Sequence, residues 1–149
     1  MAGKVKAVIV DTYAIMADFS GEAPGRAVKY MDMIRLGRIR GYLHYLIVYE
    51  MAYHWRKGRF PFKNSDEFKD FIDFYFEILP VDVEVALEAS RVKSVGDKML
   101  QKAKLKSRKL SVADATSIAL ALMYEVPIMT GDADLSYVAR KLGITILWE

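Results

Sequence analysis

Five carboxylates stand at places where an apolar run gives way to a new element. Asp11 closes the stretch "VIVDTYAI", and Asp132 and Asp134 follow the short run in "VPIMTGDADL". Glu50 lies in "YLIVYEMAYHWRKG" and Asp114 in "LSVADATSIALAL". Each has an ordinary structural reading. Asp11, Asp132 and Asp134 are acids of the kind that open helices, and Asp114 stands three residues after Ser111, a natural N-cap. Glu50 has Leu46, Ile47, Tyr53 and His54 as its helical neighbours, so it falls on a mostly apolar face, where His54 offers a structural partner. Gathered in one pocket, however, these carboxylates would raise one another's pKa values unless a counter-charge joined them. A hard divalent cation, Mg²⁺ or Mn²⁺, suits an all-oxygen donor set, and the chemistry that follows is hydrolysis of a phosphodiester by metal-activated water.

Other chemistries are excluded by what the chain lacks. It has no cysteine, which removes disulfides, zinc–thiolate sites and thiol nucleophiles. Its two histidines, His44 and His54, are not spaced as a pair of metal ligands on adjacent helical turns. A phosphate-cradling glycine-rich loop is absent, and the position two residues after Asp11, where an aspartyl phosphotransferase carries a second acid, is Tyr13. With 53% hydrophobic and 28% charged residues, and no apolar run near the roughly 18 residues that span a bilayer, residues 1–149 are expected to form one non-membrane, cytoplasmic domain.

The acids must be positioned by alternating strands and helices. Residues 4–10 are rich in Val and Ile and predict a buried strand. Short strands are also expected at 39–43, 78–81, 126–129 and 144–147, the third interrupted by Pro80 and therefore at an edge. Helical patterns fall at 14–19, 25–36, 45–56, from a cap at Asn64 or Ser65 to about 76, at 82–104 with a break near Gly96, at 111–124 and at 133–142. This alternation predicts an α/β domain with a mostly parallel sheet, whose ligands bind beyond the carboxyl ends of the strands. Asp11 and Asp132 should both arrive at that edge.

In order and spacing, the four motifs quoted above resemble those of the PIN-domain ribonucleases, and among these the VapC-type toxins of prokaryotic toxin–antitoxin pairs. The resemblance implies a three-layer α/β/α sandwich around a five-stranded sheet and metal-dependent cleavage of RNA. By position, Asp11, Glu50, Asp114 and Asp132 match the acidic quartet, Asp134 matches a more variable acid that binds metal through water, and Thr12 and Thr130 match the hydroxyl residues beside the first and last acids. Tyr13 departs from the small polar residue common after the first motif, and Leu135 replaces an aromatic. The resemblance also implies a small antitoxin partner and a homodimer. The aromatic segment 42–55, richer in apolar residues than one helix face can bury, is the expected contact surface.

Charge is distributed unevenly. Between Arg91 and Lys109 eight Lys or Arg face one acid, Asp97, whereas between Phe60 and Ser90 eight acids face Lys63 and Lys69. The basic stretch leads into the Asp114 motif, so Lys104, Lys106 and Arg108, with Arg56 and Lys57 beyond Glu50, are the candidate contacts to an RNA backbone. A non-catalytic PIN-like module that binds RNA or a partner protein is the alternative; it has no need of clustered carboxylates.

Overall fold

Four consecutive apolar residues, Ala7–Val10, form β1, and all four are buried. Because alternate residues of a strand point to opposite faces, burial of all four means that both faces of the sheet are covered. The computed structural model describes residues 4–103 and 108–149. After β1 come α1 (Thr12–Ser20), α2 (Gly25–Arg35), β2 (Arg40–Leu43), α3 (Tyr45–Arg56), α4 (Ser65–Tyr75) and β3 (Phe76–Ile78). They are followed by α5 (Val83–Lys102), α6 (Val112–Tyr124), β4 (Ile128–Met129), α7 (Ala133–Lys141) and β5 (Ile146–Leu147).

The sheet has the order β3-β2-β1-β4-β5, with every neighbouring pair parallel. Strand order reverses between β1 and β4, which makes their carboxyl ends the topological switch point. Register brings those ends level: Val10 stands opposite Met129, so Asp11 and Thr130 emerge side by side. Ile9 stands opposite Tyr42, and the same register carries His44 level with Asp11. The expected α/β/α sandwich with a five-stranded parallel sheet is therefore the fold observed.

Most helices begin where the sequence signals them. Asn64, Asp82 and Ser111 accept the backbone N–H three residues on, satisfying donors that a helix start leaves open. Two expectations are corrected. Gly96 does not break α5, which runs unbroken from Val83 to Lys102. A Cβ at this position would lie 2.9 Å from a Leu110 methyl and 3.2 Å from Val138, so glycine here admits close packing. The edge strand covers 76–78 rather than 78–81; Pro80 follows it instead of interrupting it. α6 is buried on nearly all sides, from Ala113 through Ala121 apart from Asp114, and this hydrophobic sleeve against α5 carries Asp114 inward at its first turn.

Candidate active site

Asp11, Glu50, Asp114 and Asp132, contributed by four separate segments, line one pocket of about 90 Å³ together with Thr12, Tyr13 and Ser117. Strand ends deliver two of the acids and helices the other two. Asp11 is the N-cap of α1: its Oδ1 accepts the Ala14 N–H at 2.9 Å, while its Oδ2 accepts the Thr130 hydroxyl at 2.5 Å. Thr130 Oγ1 in turn accepts the Asp132 N–H at 3.0 Å. Asp132 caps α7 through Oδ2, 2.8 Å from the Leu135 nitrogen. The capping roles read from sequence are thus real, and they are compatible with membership of the pocket, since each cap uses a single carboxylate oxygen.

Glu50 is held across the pocket by Thr12, whose hydroxyl donates to Oε1 at 2.6 Å. His54 is not its partner: Nδ1 of that ring lies 2.6 Å from Arg59 Nη1. Asp114 receives a backbone cap from Ser111 and projects among the other acids. Asp134 does not line this pocket, though its charge acts on Asp114; its Oδ2 lies 3.3 Å from Arg108 Nε, and its buried Oδ1 has no hydrogen-bond partner among the described residues.

The electrostatics are those of several carboxylates sharing one desolvated pocket. Burial, opposed by the Thr130 and Ala14 hydrogen bonds and reinforced by Asp114 and Asp132, pushes the Asp11 carboxyl up to about 8. Burial and then the neighbouring Asp132 push Asp114 up to about 7. Among the described residues no lysine or arginine pairs with any of the four acids. Nor do three carboxylates already close into a preformed cation cage among those residues. The donor set nonetheless fits a hard divalent ion: every donor is oxygen, and among the described residues no cation pairs with the four acids.

Two polar residues that sequence reasoning did not place in this region support it. His44 is fully buried; its Nδ1 accepts the Leu46 N–H and caps α3, and its Nε2 lies 2.9 Å from Ser117 Oγ on α6. It therefore ties the helix of Glu50 to the helix of Asp114. Burial lowers its pKa to about 4, which keeps the ring neutral with the proton on Nε2. Its position directly after β2, equivalent to that of Asp11 after β1, was the available signal. Of the cations expected to meet RNA, Arg108 lies beside Asp134, Arg56 packs over the Trp55 ring and Lys57 over the Tyr53 ring. Lys104 and Lys106 lie outside the described residues.

The PIN domain family model matches residues 8–141. Solved structures with the same fold include VapBC2 from Rickettsia felis bound to a DNA fragment from its promoter (TM-score 0.64, 11% identity, covering 96% of this chain and 99% of that one). PAE2754 from Pyrobaculum aerophilum aligns with TM-score 0.61 and 19% identity over 95% of this chain and 89% of its own. FitAcB from Neisseria gonorrhoeae gives 0.59 and 20% over 94% and 96%. No curated protein sequence matches. In the described residues no helix is long and apolar enough to cross a membrane.

Proposed function

Because the chain belongs to the PIN domain family, we propose that it is a metal-dependent endoribonuclease, the toxin of a toxin–antitoxin pair. The observation that carries this reading is the convergence of Asp11, Glu50, Asp114 and Asp132 on one small pocket at the switch point of the sheet. In this reading those four acids hold Mg²⁺ or Mn²⁺, with Asp134 at the edge of the site. Bound there, the ion supplies a water that is nucleophilic at neutral pH and a positive charge against the phosphoryl oxygens.

The chain's own residues supply orientation. Thr130 fixes the Asp11 carboxylate and the start of α7 with one hydroxyl, and Thr12 fixes Glu50, so one threonine after β4 and one at the start of α1 set the direction of two acids. The His44–Ser117 bond keeps the two acid-bearing helices in register beneath them. Arg108, with Arg56 and Lys57, is proposed to meet phosphates of the RNA, and Lys104 and Lys106 to extend that basic path.

A small antitoxin protein belongs to the same proposal as the partner of a toxin of this family. Along α3 the side chains of Tyr45, Tyr49 and Tyr53, four residues apart, are exposed and form the proposed face for homodimerisation or antitoxin contact. Light scattering at assay concentration should give a dimer; a monomer removes the homodimer from the proposal.

Cleavage of a labelled single-stranded RNA in Mn²⁺ or Mg²⁺ tests the activity. Products should form with the wild type and disappear with chelator and with Asp11→Asn. Equal cleavage by wild type and variant would assign the activity to a contaminant and overturn the reading.

A further inference from the structure

The acidic pocket, at about 90 Å³, has room for an ion and a few waters but not for a nucleotide. The nucleotides on either side of a scissile phosphate must therefore lie on the surface around its mouth. Two larger grooves lie nearby, one of about 550 Å³ along α7, which begins at Thr130 and Gly131 just before Asp132, and one of about 950 Å³ along α1. They share Trp148, and Tyr13 lines both the α1 groove and the acidic pocket.

Tyr13 and Trp148 form a fixed pair. Their rings meet edge to face at 5.7 Å and 75°. Both press on Gly131, where a Cβ would lie 2.5 Å from Tyr13 Cε1 and 2.6 Å from Trp148 Cε2, so only glycine lets the rings lie flush on the loop between Thr130 and Asp132. Tyr13 remains 48% exposed, although it follows the buried end of β1 by only three residues. Packing alone explains the half-buried Trp148 but not an aromatic ring left open to solvent at the lip of a polar pocket.

The walls of the α7 groove carry the complementary charge. Arg140 and Lys141 are exposed in the last turn of α7, and Lys141 Nζ lies 5.6 Å over the Tyr137 ring. Arg59 lines the α1 groove. Glu149 lines both grooves as an anion, and its carbonyl is held by Arg26 at 2.9 Å. Aromatic faces alternating with cations are the recognition chemistry of single-stranded nucleic acid, whose unpaired bases have free π faces, whereas the bases of a duplex are already stacked.

We propose that Tyr13 and Trp148 are a base-stacking platform for the nucleotide next to the scissile phosphate, with Arg140 and Lys141 taking the adjoining phosphates, so that the site accepts single-stranded RNA. This rests on the nuclease reading for its substrate but makes a separate claim about where that substrate lies.

Binding can be read without turnover. A short single-stranded RNA titrated into the full chain in EDTA should quench tryptophan fluorescence. Trp55, the other tryptophan, donates Nε1 to the Phe62 carbonyl and lines neither groove, so comparison with Trp148→Leu assigns the signal to one tryptophan or the other. Trp148→Leu should abolish the quench, and by the anisotropy of an end-labelled RNA Trp148→Leu or Tyr13→Ala should raise Kd about tenfold, the scale of one lost base stack. Tyr13→Phe, which keeps the ring, should stay within about twofold. Lys141→Glu should weaken binding and flatten its salt dependence. Thermal melts establish that each variant is folded. Unchanged affinity in folded Trp148→Leu and Tyr13→Ala, or equal affinity for duplex RNA, would overturn the platform. The two readings fail separately: quenching without metal-dependent cleavage removes the nuclease and keeps the platform, and cleavage with an unaltered KM in Trp148→Leu does the reverse.

Discussion

Two regions of this molecule are rich in acids, and they behave as opposites. On α4, Asp66, Glu67, Asp70 and Asp73 are all exposed; the first two stand in the opening turn, favourably placed at the positive end of the helix. At the sheet edge, Asp11 is buried and Asp114 half-buried, and both carboxyls are pushed far above the usual range. Water solvates the first group one side chain at a time, whereas the second shares a single small space. Count and spacing along the chain do not separate the two; convergence and lost hydration do.

The sharpest test of that contrast is amide replacement. Asp11→Asn should lower RNA cleavage by about a thousandfold, the scale for removing a group that acts on transition-state charge. Asp70→Asn should leave the rate within about twofold, as expected of a solvated surface position. The same Asp11→Asn change should raise the melting temperature of the metal-free protein at pH 8, because the amide retains a cap acceptor for Ala14 without the buried charge.

Removing an orienting group should come next. Thr130→Val deletes the hydroxyl that links Asp11 to the Asp132 backbone, and metal affinity measured by titration calorimetry should fall by about 10- to 100-fold. An unchanged affinity would mean that the acids hold their directions without it.

pH should distinguish the two regions in stability. Asp11 and Asp114 have folded-state pKa values of about 8 and 7 against an ordinary 3.8, so between these limits the folded protein binds more protons than the unfolded chain. Their contribution is complete below about pH 4 and is lost as pH rises through 7 and 8. His44 has the opposite sign: its pKa is depressed from 6.5 to about 4, so its contribution is present above 6.5 and lost as pH falls through 4. Above pH 6.5 the acids therefore act without opposition. Thermal melts of metal-free protein should decline from pH 6.5 to 8.5, and Mn²⁺ should flatten the slope. A melt that rises over this range would contradict the buried-pocket electrostatics.

The smallest effect concerns the support beneath the site. His44→Leu leaves Ser117 Oγ and the Leu46 N–H without their partner and should destabilise the protein by about 1–3 kcal/mol in chemical denaturation. An equivalent loss is not expected for Asp73→Asn, which is exposed.

Much of this architecture was legible because it is written locally. Caps at Asn64 and Ser111 and the apolar run of β1 each declare an element within a few residues. The acids at strand ends could be assigned to one edge because a parallel sheet has only one carboxyl edge. The start of β3 was misplaced because the aromatic run ending in Phe76 continues the helical pattern of α4 straight into the strand. Gly96 was misread because its meaning is the proximity of Leu110 and Val138, neither of which is near it in the helix. His44 and Ser117 are 73 positions apart, and Tyr13 and Trp148 lie further apart still. Such pairs have no local signature, and only the closing of the fold reveals them.

The double duty of Asp11 and Asp132 has an evolutionary consequence. Each closes the start of a helix with one oxygen while facing the pocket, and asparagine is as good a helix cap as aspartate. A descendant with Asn at both positions would keep the starts of α1 and α7 and shed buried charge. For the proposed nuclease, loss of catalysis is thus a downhill step for folding, and silent copies of this domain, well folded and free to specialise in binding, are one or two substitutions away.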